Sequence, residues 1–428
     1  MTFVTEDVTE QQGYNLHVLQ SKKFKTIHLT VKLKSPLNRE NITERALLPF
    51  VLQQGTNKYP TSSLFRRALD DLFGATLSID SAKKGNDHVM SFRMEIANQT
   101  YLSTEQNILE EALQFLSDVI YDSKTIKEAF DQTIVSREKQ TLKQKINAVV
   151  DNKMSYANMR LIDKMCEGEA YSLHVHGYQE DLNRIDEKSL YTYYQQLLQE
   201  DQMDVYVLGD LENIDVNKLI PSYFNKKRNP KLVEIEHDQK EQSEPKEIIE
   251  EQAMQQGKLH LGYRTNITFR DDAYPALQIF NAIFGGFPSS KLFINVREKN
   301  SLAYYASSRF ESHKGLLFVF SGIDPKDYAK AKGIIVEQMD AMVNGDFTEE
   351  QIEEAKKLVV NQWKETLDHP DGLVEILYHQ VLAGAERSPD QFVKEINQVS
   401  KDNLLEVGQK IQLDTVYFLT AQGGNENA

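Results

Sequence analysis

The sequence predicts an α+β protein made of two homologous halves, each a mainly antiparallel sheet with helices packed on one face. Three observations support this prediction. Short alternating strands lie between amphipathic helices, the same order of elements occurs twice, and an acidic stretch separates the two occurrences. A chain of 428 residues is also too long for one ordinary hydrophobic core, which favours two domains.

The first half begins with an alternating strand and continues through helices and paired strands. Its predicted elements are a strand over 26–33, helices over 46–52 and 63–74, strands over 75–81 and 88–96, and helices over 108–120 and 124–159. Gly74 is the residue type that ends helices in a left-handed conformation. The apolar run at residues 205–210 predicts the strand that closes this half.

The second half repeats this order. Its predicted elements are a strand over 258–263, helices over 274–284 and 290–300, strands over 302–308 and 316–323, and a helix over 328–342. A long charged helix follows Thr348, which is a favoured N-cap residue. Leu64-Phe65 and Leu292-Phe293 hold the same place in the two halves, 228 residues apart, and this spacing indicates a duplicated unit.

Between the halves, residues 228–256 contain few apolar side chains and many acids, as is typical of a solvated linker. The predicted domains are therefore residues 1–227 and 257–428, with 228–256 as an acidic linker.

The net charge of −15 disfavours nucleic acids and anionic membranes as partners, since both attract basic proteins. A solubilising surface explains the charge more simply than electrostatic recognition does.

No stretch approaches the ~20 apolar residues of a membrane span, and the N-terminus lacks the charged and apolar regions of a secretory signal. With only one cysteine, Cys166, disulfides within the chain are excluded, and we expect a cytoplasmic protein.

Two local patterns offer alternative catalytic chemistry. His174 and His176, with Glu167 and Glu169 just upstream, are the one cluster that an independent metal site would use. A loop is the better interpretation of this segment, and no third ligand with supporting hydrogen bonds is identifiable. Cys166 could act as a nucleophile with either histidine as base, but a lone cysteine is more often inert.

The most informative stretch runs from Ser289 to Tyr304. It contains Ser-Ser-Lys-Leu-Phe, then Arg-Glu-Lys, then Leu-Ala-Tyr. On these motifs, together with residues 55–60 and 205–210, nearly the whole chain resembles the insulinase/pitrilysin-type zinc metallopeptidases, in particular the short, processing-peptidase-like members. The resemblance implies the duplicated α+β fold of that family.

The family binds zinc through His-x-x-Glu-His on a helix and through a glutamate on a later helix. Counted back from Gly55, the two histidine positions are Ala46 and Phe50, and the general-base position is Pro49. Glu138 matches an earlier family glutamate, which places the third ligand on Lys145. The family's Asn-Ala on the substrate-binding edge is Leu77-Ser78 here. None of the four zinc-site residues can replace its family counterpart.

In two-chain members of the family, one subunit carries the zinc motif and the other supplies an Arg and a Tyr. The resemblance places this pair on Arg297 and Tyr304, which would donate hydrogen bonds to a peptide carbonyl as it gains charge. It implies a non-catalytic, substrate-binding subunit that holds no cofactor, beside a homologous partner that holds zinc, with a peptide or unfolded protein as substrate. The simpler alternative is an Arg297 that caps a helix and pairs with Glu298 or Glu311.

Another class of function stays open. The chain would then be a non-enzymatic interaction scaffold of the same fold. Some silent relatives are associated with aminopentanol modification of elongation factor P, and the resemblance extends to that subgroup. A homodimer is an alternative assembly where no partner chain is present. Tyr304 and Tyr305 should face opposite sides of their strand, so that one of them packs in the interior.

Overall fold

The computed structural model describes residues 5–231 and 244–422. The strands of the first part are β1 (Glu6–Gln11), β2 (Tyr14–Gln20), β3 (Thr26–Pro36), β4 (Thr76–Lys84), β5 (Asp87–Ala97) and β6 (Gln202–Gly209). Its helices are α1 (Ile42–Leu52), α2 (Ser62–Asp71), α3 (Ile108–Tyr121), α4 (Gln132–Asp151), α5 (Lys153–Met165), α6 (Glu187–Glu200), α7 (Val216–Leu219) and α8 (Pro221–Phe224).

The second part has five strands in its described residues. They are β7 (Lys246–Gln252), β8 (Gly257–Arg264), β9 (Ala303–Glu311), β10 (Leu316–Ile323) and β11 (Gln412–Ala421). Its helices are α9 (Tyr274–Asn281), α10 (Tyr328–Val343), α11 (Glu349–Leu367), α12 (Pro370–Ala383), α13 (Pro389–Gln398) and α14 (Lys401–Lys410). Thr348 is the N-cap of α11, as the sequence predicted, and the structure adds a reciprocal capping box with Gln351.

The strands form two sheets whose topology matches except for β1, which has no counterpart in the described residues of the second sheet. One has the order β1-β2-β6-β3-β5-β4 and the other the order β7-β11-β8-β10-β9. All neighbouring pairs are antiparallel except β2–β6 and β7–β11, which occupy equivalent positions. This confirms the predicted α+β fold of two similar halves. The repeated parallel pair is a second sign of duplication, independent of the sequence motifs.

Alternation along the strands determines which face of each sheet is apolar. Ile27, Leu29, Val31 and Leu33 of β3 share one face and are buried in the first core. Helix α3 packs on that sheet and buries almost its entire length. In the second sheet, Leu317 and Val319 of β10 face the equivalent core.

The chain divides into two compact units. The first comprises residues 5–148 and 173–231, and the second comprises Val149–Ser172 and residues 244–422. The predicted boundaries put residues 149–172 in the first domain. They belong to the second because Ala157, Leu161 and Met165 of α5 form an apolar face that packs on the second sheet, opposite the other helices. Gly262 permits this approach, since a Cβ there would lie 2.5 Å from the Met165 sulfur.

The predicted acidic linker also differs in part from the structure. Residues 232–243 lie outside the described residues. Lys246–Gln252 form β7, which pairs in parallel with β11. The alternating burial of this strand explains why a composition-based interpretation missed it: its outward positions carry most of the charge. No helix in the described part of the chain is both long and apolar enough to cross a membrane.

Candidate functional site

The three positions equivalent to His-x-x-Glu-His lie on one face of α1. Ala46 and Pro49 are buried and Phe50 is half-buried. Pro49 lies inside the helix, where it cannot donate a backbone hydrogen bond. Gln53 joins this turn to the sheet: its Nε2 donates to the carbonyl of Pro49 at 2.7 Å and to that of Ile79 on β4 at 3.1 Å.

Helix α4 brings Lys145 to the same place. Its Nζ lies 5.3 Å from the centre of the Phe50 ring, a cation–π contact. Glu138, two turns earlier, is buried and accepts a hydrogen bond from Arg137 Nε at 2.7 Å. An apolar ring and an ammonium therefore stand where the family has metal ligands. These residues do not fit zinc, because neither can donate a lone pair to a cation.

A buried network anchors α1 beside these positions. Arg45 is almost fully buried and pairs with Asp201, at 2.6 Å between Nη2 and Oδ2. Burial and the Arg45 charge lower the pKa of His88 to about 3, so the ring is neutral. Its Nδ1 accepts from Arg45 Nε at 2.9 Å, which leaves Nε2–H to donate to the Val175 carbonyl. Arg45 is not among the residues predicted from the sequence, because burial of a cation has no local signal.

His174 and His176 lie in the loop that His88 anchors. His174 stacks on Tyr178 with ring centres 4.9 Å apart. Burial, followed by the charge of Lys145, lowers the pKa of His176 to about 4. Glu169 is committed to ion pairs with Arg264 at 2.7 Å and Lys314 at 3.0 Å. Within residues 5–231 and 244–422, no three His, Cys, Asp or Glu side chains form a group that could hold a metal ion.

The segment that carries Arg297 is folded irregularly. Helix α9 ends in a π-helical turn over Ala282–Gly286, and a second π-helical turn spans Phe293–Glu298. In the second turn, the Lys299 amide donates to the Ile294 carbonyl, five residues back. A Cβ on Gly285 would lie 2.5 Å from the Ser308 hydroxyl, so this glycine lets the first turn touch β9.

The Arg297 guanidinium is exposed and stacks on Phe293, 4.6 Å from the ring centre. It has no ion pair or side-chain hydrogen bond with another described residue, and in particular none with Glu298 or Glu311. The acidic partner of the simpler alternative is therefore absent from the described residues, whereas Arg297 does lie in the last turn of a helix, where a cation interacts favourably with the helix dipole. An exposed guanidinium in cation–π contact with a ring keeps its N–H donors available.

Tyr304 and Tyr305 have different environments. Tyr304 is 73% exposed, whereas Tyr305 packs against the cluster that α5 covers, with Lys258 Nζ 5.4 Å from its ring centre. The register of β9 against β10 shifts at the Gly322/Ile323 step, so Tyr304 is the extra residue of a β-bulge. No direct contact joins Tyr304 and Arg297 among the contacts of the described residues.

The first unit shows what this segment looks like without the irregularities. Phe73 and Ser301, 228 residues apart, both have a left-handed backbone, with φ of 58° and 51°. Yet α2 is a plain α-helix capped by Thr61, and β4 pairs with β5 in unbroken register. The π-turn and the bulge thus distinguish the copy that carries Arg297 and Tyr304. Such irregularities are over-represented at functional sites.

In each unit, the terminal strand of the sheet lies beside that unit's own candidate residues. β4 ends the first sheet beside α1, and β9, which carries Tyr304, ends the second. A terminal strand has backbone donors and acceptors available for an added strand. Together, these features define a class: a duplicated zinc-peptidase fold whose metal positions are filled by residues that cannot bind metal.

Comparison with known proteins agrees with this class. The family description "Peptidase M16 inactive domain" matches residues 184–359. The chain is 46% identical over 425 residues to "Probable inactive metalloprotease YmfF" of Bacillus subtilis (strain 168), covering 99% of this chain and all of that protein. It is 22% identical over 318 residues to "Uncharacterized zinc protease YmxG" of the same strain, covering 72% and 75%.

A solved structure is similar as well. The crystal structure of a conserved protein from Enterococcus faecalis V583 superposes with a TM-score of 0.90 at 33% identity, covering 97% of this chain and 98% of that one. The protein belongs to the peptidase M16 family, as an inactive metalloprotease homologue.

Proposed function

We propose that the protein is the non-catalytic, substrate-binding subunit of a two-chain M16 peptidase, whose homologous partner supplies zinc and the general base. One observation carries the proposal: Arg297 and Tyr304 are exposed on a segment with two backbone irregularities, while the zinc positions of the same chain cannot bind metal. The substrate would be a peptide or an unfolded protein, in the cytoplasm.

The chemistry suits both side chains. When a peptide carbonyl is attacked, its oxygen gains negative charge, and donors already in place stabilise that charge. A guanidinium and a phenol hydroxyl are such donors. The contact of Arg297 with Phe293 favours one position of the guanidinium before substrate arrives, which would reduce the entropy lost on binding.

The relatives support the partner class. Bacillus subtilis (strain 168) has a protein named as a probable inactive metalloprotease and another named as a zinc protease, and both are similar to this chain. An organism with a relative of this chain therefore also has a relative with a zinc-protease name, as a two-chain enzyme requires.

The test uses the full chain together with the zinc-protease homologue of its own organism. Cleavage of unfolded protein should need both chains. Arg297→Ala and Tyr304→Phe should each lower kcat about a hundredfold, the typical effect of losing one donor to a charged transition state. The matched controls, Arg66→Ala and Tyr101→Phe, change an exposed Arg and an exposed Tyr of the first unit and should leave kcat unchanged.

Two outcomes contradict this function. If the two chains together show no more cleavage than the homologue alone, the protein is not a peptidase subunit, and the interaction scaffold becomes the better explanation. If cleavage needs both chains but the Arg297 and Tyr304 variants match their controls, the pair has been assigned to the wrong residues.

A further inference from the structure

A cavity of about 380 Å³ lies between helices α3 and α6 of the first unit. Its lining includes the buried Asp118 and the half-buried Tyr121 from α3, and the buried Leu198 from α6. The segment that follows α8 adds the half-buried Arg228 and the exposed Lys226. A volume of this size is within the range of small-molecule sites, and the cavity shares no residue with the zinc positions.

Asp118 is costly for the fold to hold at this position. Only 8% of its surface is exposed, and its Oδ2 has no hydrogen-bond partner among the described residues. Its Oδ1 accepts a hydrogen bond from Gln114 Nε2 at 2.6 Å. Asp118 also lies in the last turn of α3, where the helix dipole disfavours negative charge. Burial outweighs the Gln114 hydrogen bond and the charge of Lys58, and it raises the pKa of Asp118 above its ordinary value.

The two cations that line the same cavity lack carboxylate partners. The Arg228 guanidinium donates to backbone carbonyls, among them those of Leu198 at 2.6 Å from Nε and Asp201 at 2.9 Å from Nη2. These bonds leave some of its N–H donors available. Lys226 Nζ lies 5.7 Å from the centre of the Tyr121 ring. Neither cation forms an ion pair with a carboxylate of residues 5–231 or 244–422.

A buried acid without a cation and two cations without an acid therefore line one cavity. A simple anion would leave Asp118 unpaired, and a simple cation would meet the charges of Lys226 and Arg228. A molecule with both charges would pair all three groups, since each charged hydrogen bond is stronger than a neutral one. The Asp118 Oδ2 is shielded from solvent, and rotation of the carboxylate would present it to the cavity in place of Oδ1.

We propose that this cavity binds a small zwitterion of the amino-acid class, with its ammonium group on Asp118 and its carboxylate between Lys226 and Arg228. Tyr121 and Leu198 would contact a short apolar side chain. This site goes beyond the peptidase-subunit function and does not depend on it, because it uses neither the partner chain nor the segment that would contact substrate.

The test measures binding by the full chain alone, using isothermal titration calorimetry. The standard L-amino acids are titrated one at a time, each at about 10 mM, because ligands of this size bind with modest affinity. At least one with an apolar side chain should bind. Its amine and acid analogues, isoamylamine and isocaproate in the case of leucine, should each bind at least about tenfold more weakly, because each lacks one charged contact.

Asp118→Asn removes the charge with little change of shape, and it should weaken binding at least about tenfold, as should Lys226→Gln. The matched controls, Asp70→Asn and Lys227→Gln, change exposed residues outside the cavity lining and should keep the wild-type dissociation constant. The urea midpoint of Asp118→Asn should equal or exceed that of the wild type, because a buried charge without a partner is removed.

Four results would overturn the site. They are no binding of any amino acid, an analogue that binds as tightly as the amino acid, wild-type binding by Asp118→Asn, and a lower urea midpoint in that variant. The last result would give Asp118 a structural reason for its position. Because no partner chain is present, these outcomes are independent of whether the two-chain peptidase exists.

Discussion

His17 connects three strands of the first sheet and should make the stability of the protein depend on pH. Its Nδ1 lies 2.7 Å from Glu6 Oε1 on β1, and its Nε2 lies 3.2 Å from Asp204 Oδ1 on β6. Burial alone would lower the pKa of His17, but the hydrogen bonds to Asp204 and Glu6 and their charges outweigh it and raise the pKa from 6.5 to about 8. The folded protein therefore binds this proton more tightly than the unfolded chain.

The size of the effect follows from the shift. A rise of about 1.5 units corresponds to about 2 kcal/mol of folding free energy. Because the folded pKa is the higher one, this stabilisation is fully present below pH 6.5 and is lost as the pH rises through 8. Between pH 6 and pH 9, wild-type protein should therefore lose about 2 kcal/mol more unfolding free energy than the His17→Gln variant, measured by urea denaturation.

His369→Gln is the matched control, since that histidine is exposed in the second unit. It should show the pH dependence of the wild type. If His17→Gln loses as much stability between pH 6 and pH 9 as the wild type does, the two carboxylates do not hold a proton on His17, and the reasoning fails.

Three further predictions concern packing, charge and the zinc positions. Gly285→Ala should cost about 1–3 kcal/mol of unfolding free energy, because its Cβ would crowd Ser308, whereas Gly333→Ala on α10 has open space and should add about 0.5–1 kcal/mol in the same urea assay. Burial alone would raise the pKa of Glu169, but Arg264 and Lys314 outweigh it and lower it to about 2. Glu169→Gln should therefore cost about 3 kcal/mol at pH 7, and this deficit should hold above pH 4.5 and disappear as the pH falls through 2. An equal loss of unfolding free energy at pH 7 and at pH 2 would mean that the substitution removes packing rather than charge interactions. The zinc positions can be rebuilt with four substitutions, Ala46→His, Pro49→Glu, Phe50→His and Lys145→Glu. The rebuilt chain should retain one zinc ion per chain after dialysis, measured by metal analysis. If the chain with Lys145→Glu retains no zinc, but a chain with the acid at another position of α4 does, the third ligand position is not residue 145.

Much of the fold could be predicted because local pattern and tertiary structure agree in it. Alternation along β3 and helical spacing in α3 each specify one apolar face, and that face is the one the sheet or helix buries. The capping box at Thr348 is equally local, since all its atoms lie within one turn. Duplication strengthened these predictions, because each element could be compared with its copy.

The irregular features could not be predicted from local pattern. Residues 290–300 have the apolar spacing of a helix, and this spacing is a local pattern. The close packing of Gly285 on Ser308 and the β-bulge depend on tertiary contacts, which local pattern does not contain. In the same way, the apolar face of α5 predicts a buried helix without saying which sheet it covers.

Prediction of the candidate sites depended on information other than local pattern. Lys145 was placed by counting along a motif, and the contact with Phe50 that gives it a chemical environment joins residues far apart in the chain. The exposure of Tyr304 rather than Tyr305 was not decided by strand periodicity, because the bulge interrupts that periodicity. Arg45 and His88 were not predicted, because their roles depend on hydrogen-bond partners that only the folded chain brings together.

The position of α5 affects the protein while it is being synthesised. This helix leaves the ribosome before any strand of the sheet it covers, and the last of these, β11, follows roughly 250 residues later, or roughly 10–50 s at ordinary rates of translation. During that interval Ala157, Leu161 and Met165 have no native surface to cover them. The nascent first half is therefore a natural client for a chaperone, and a chain truncated before β8 should be captured by one rather than fold.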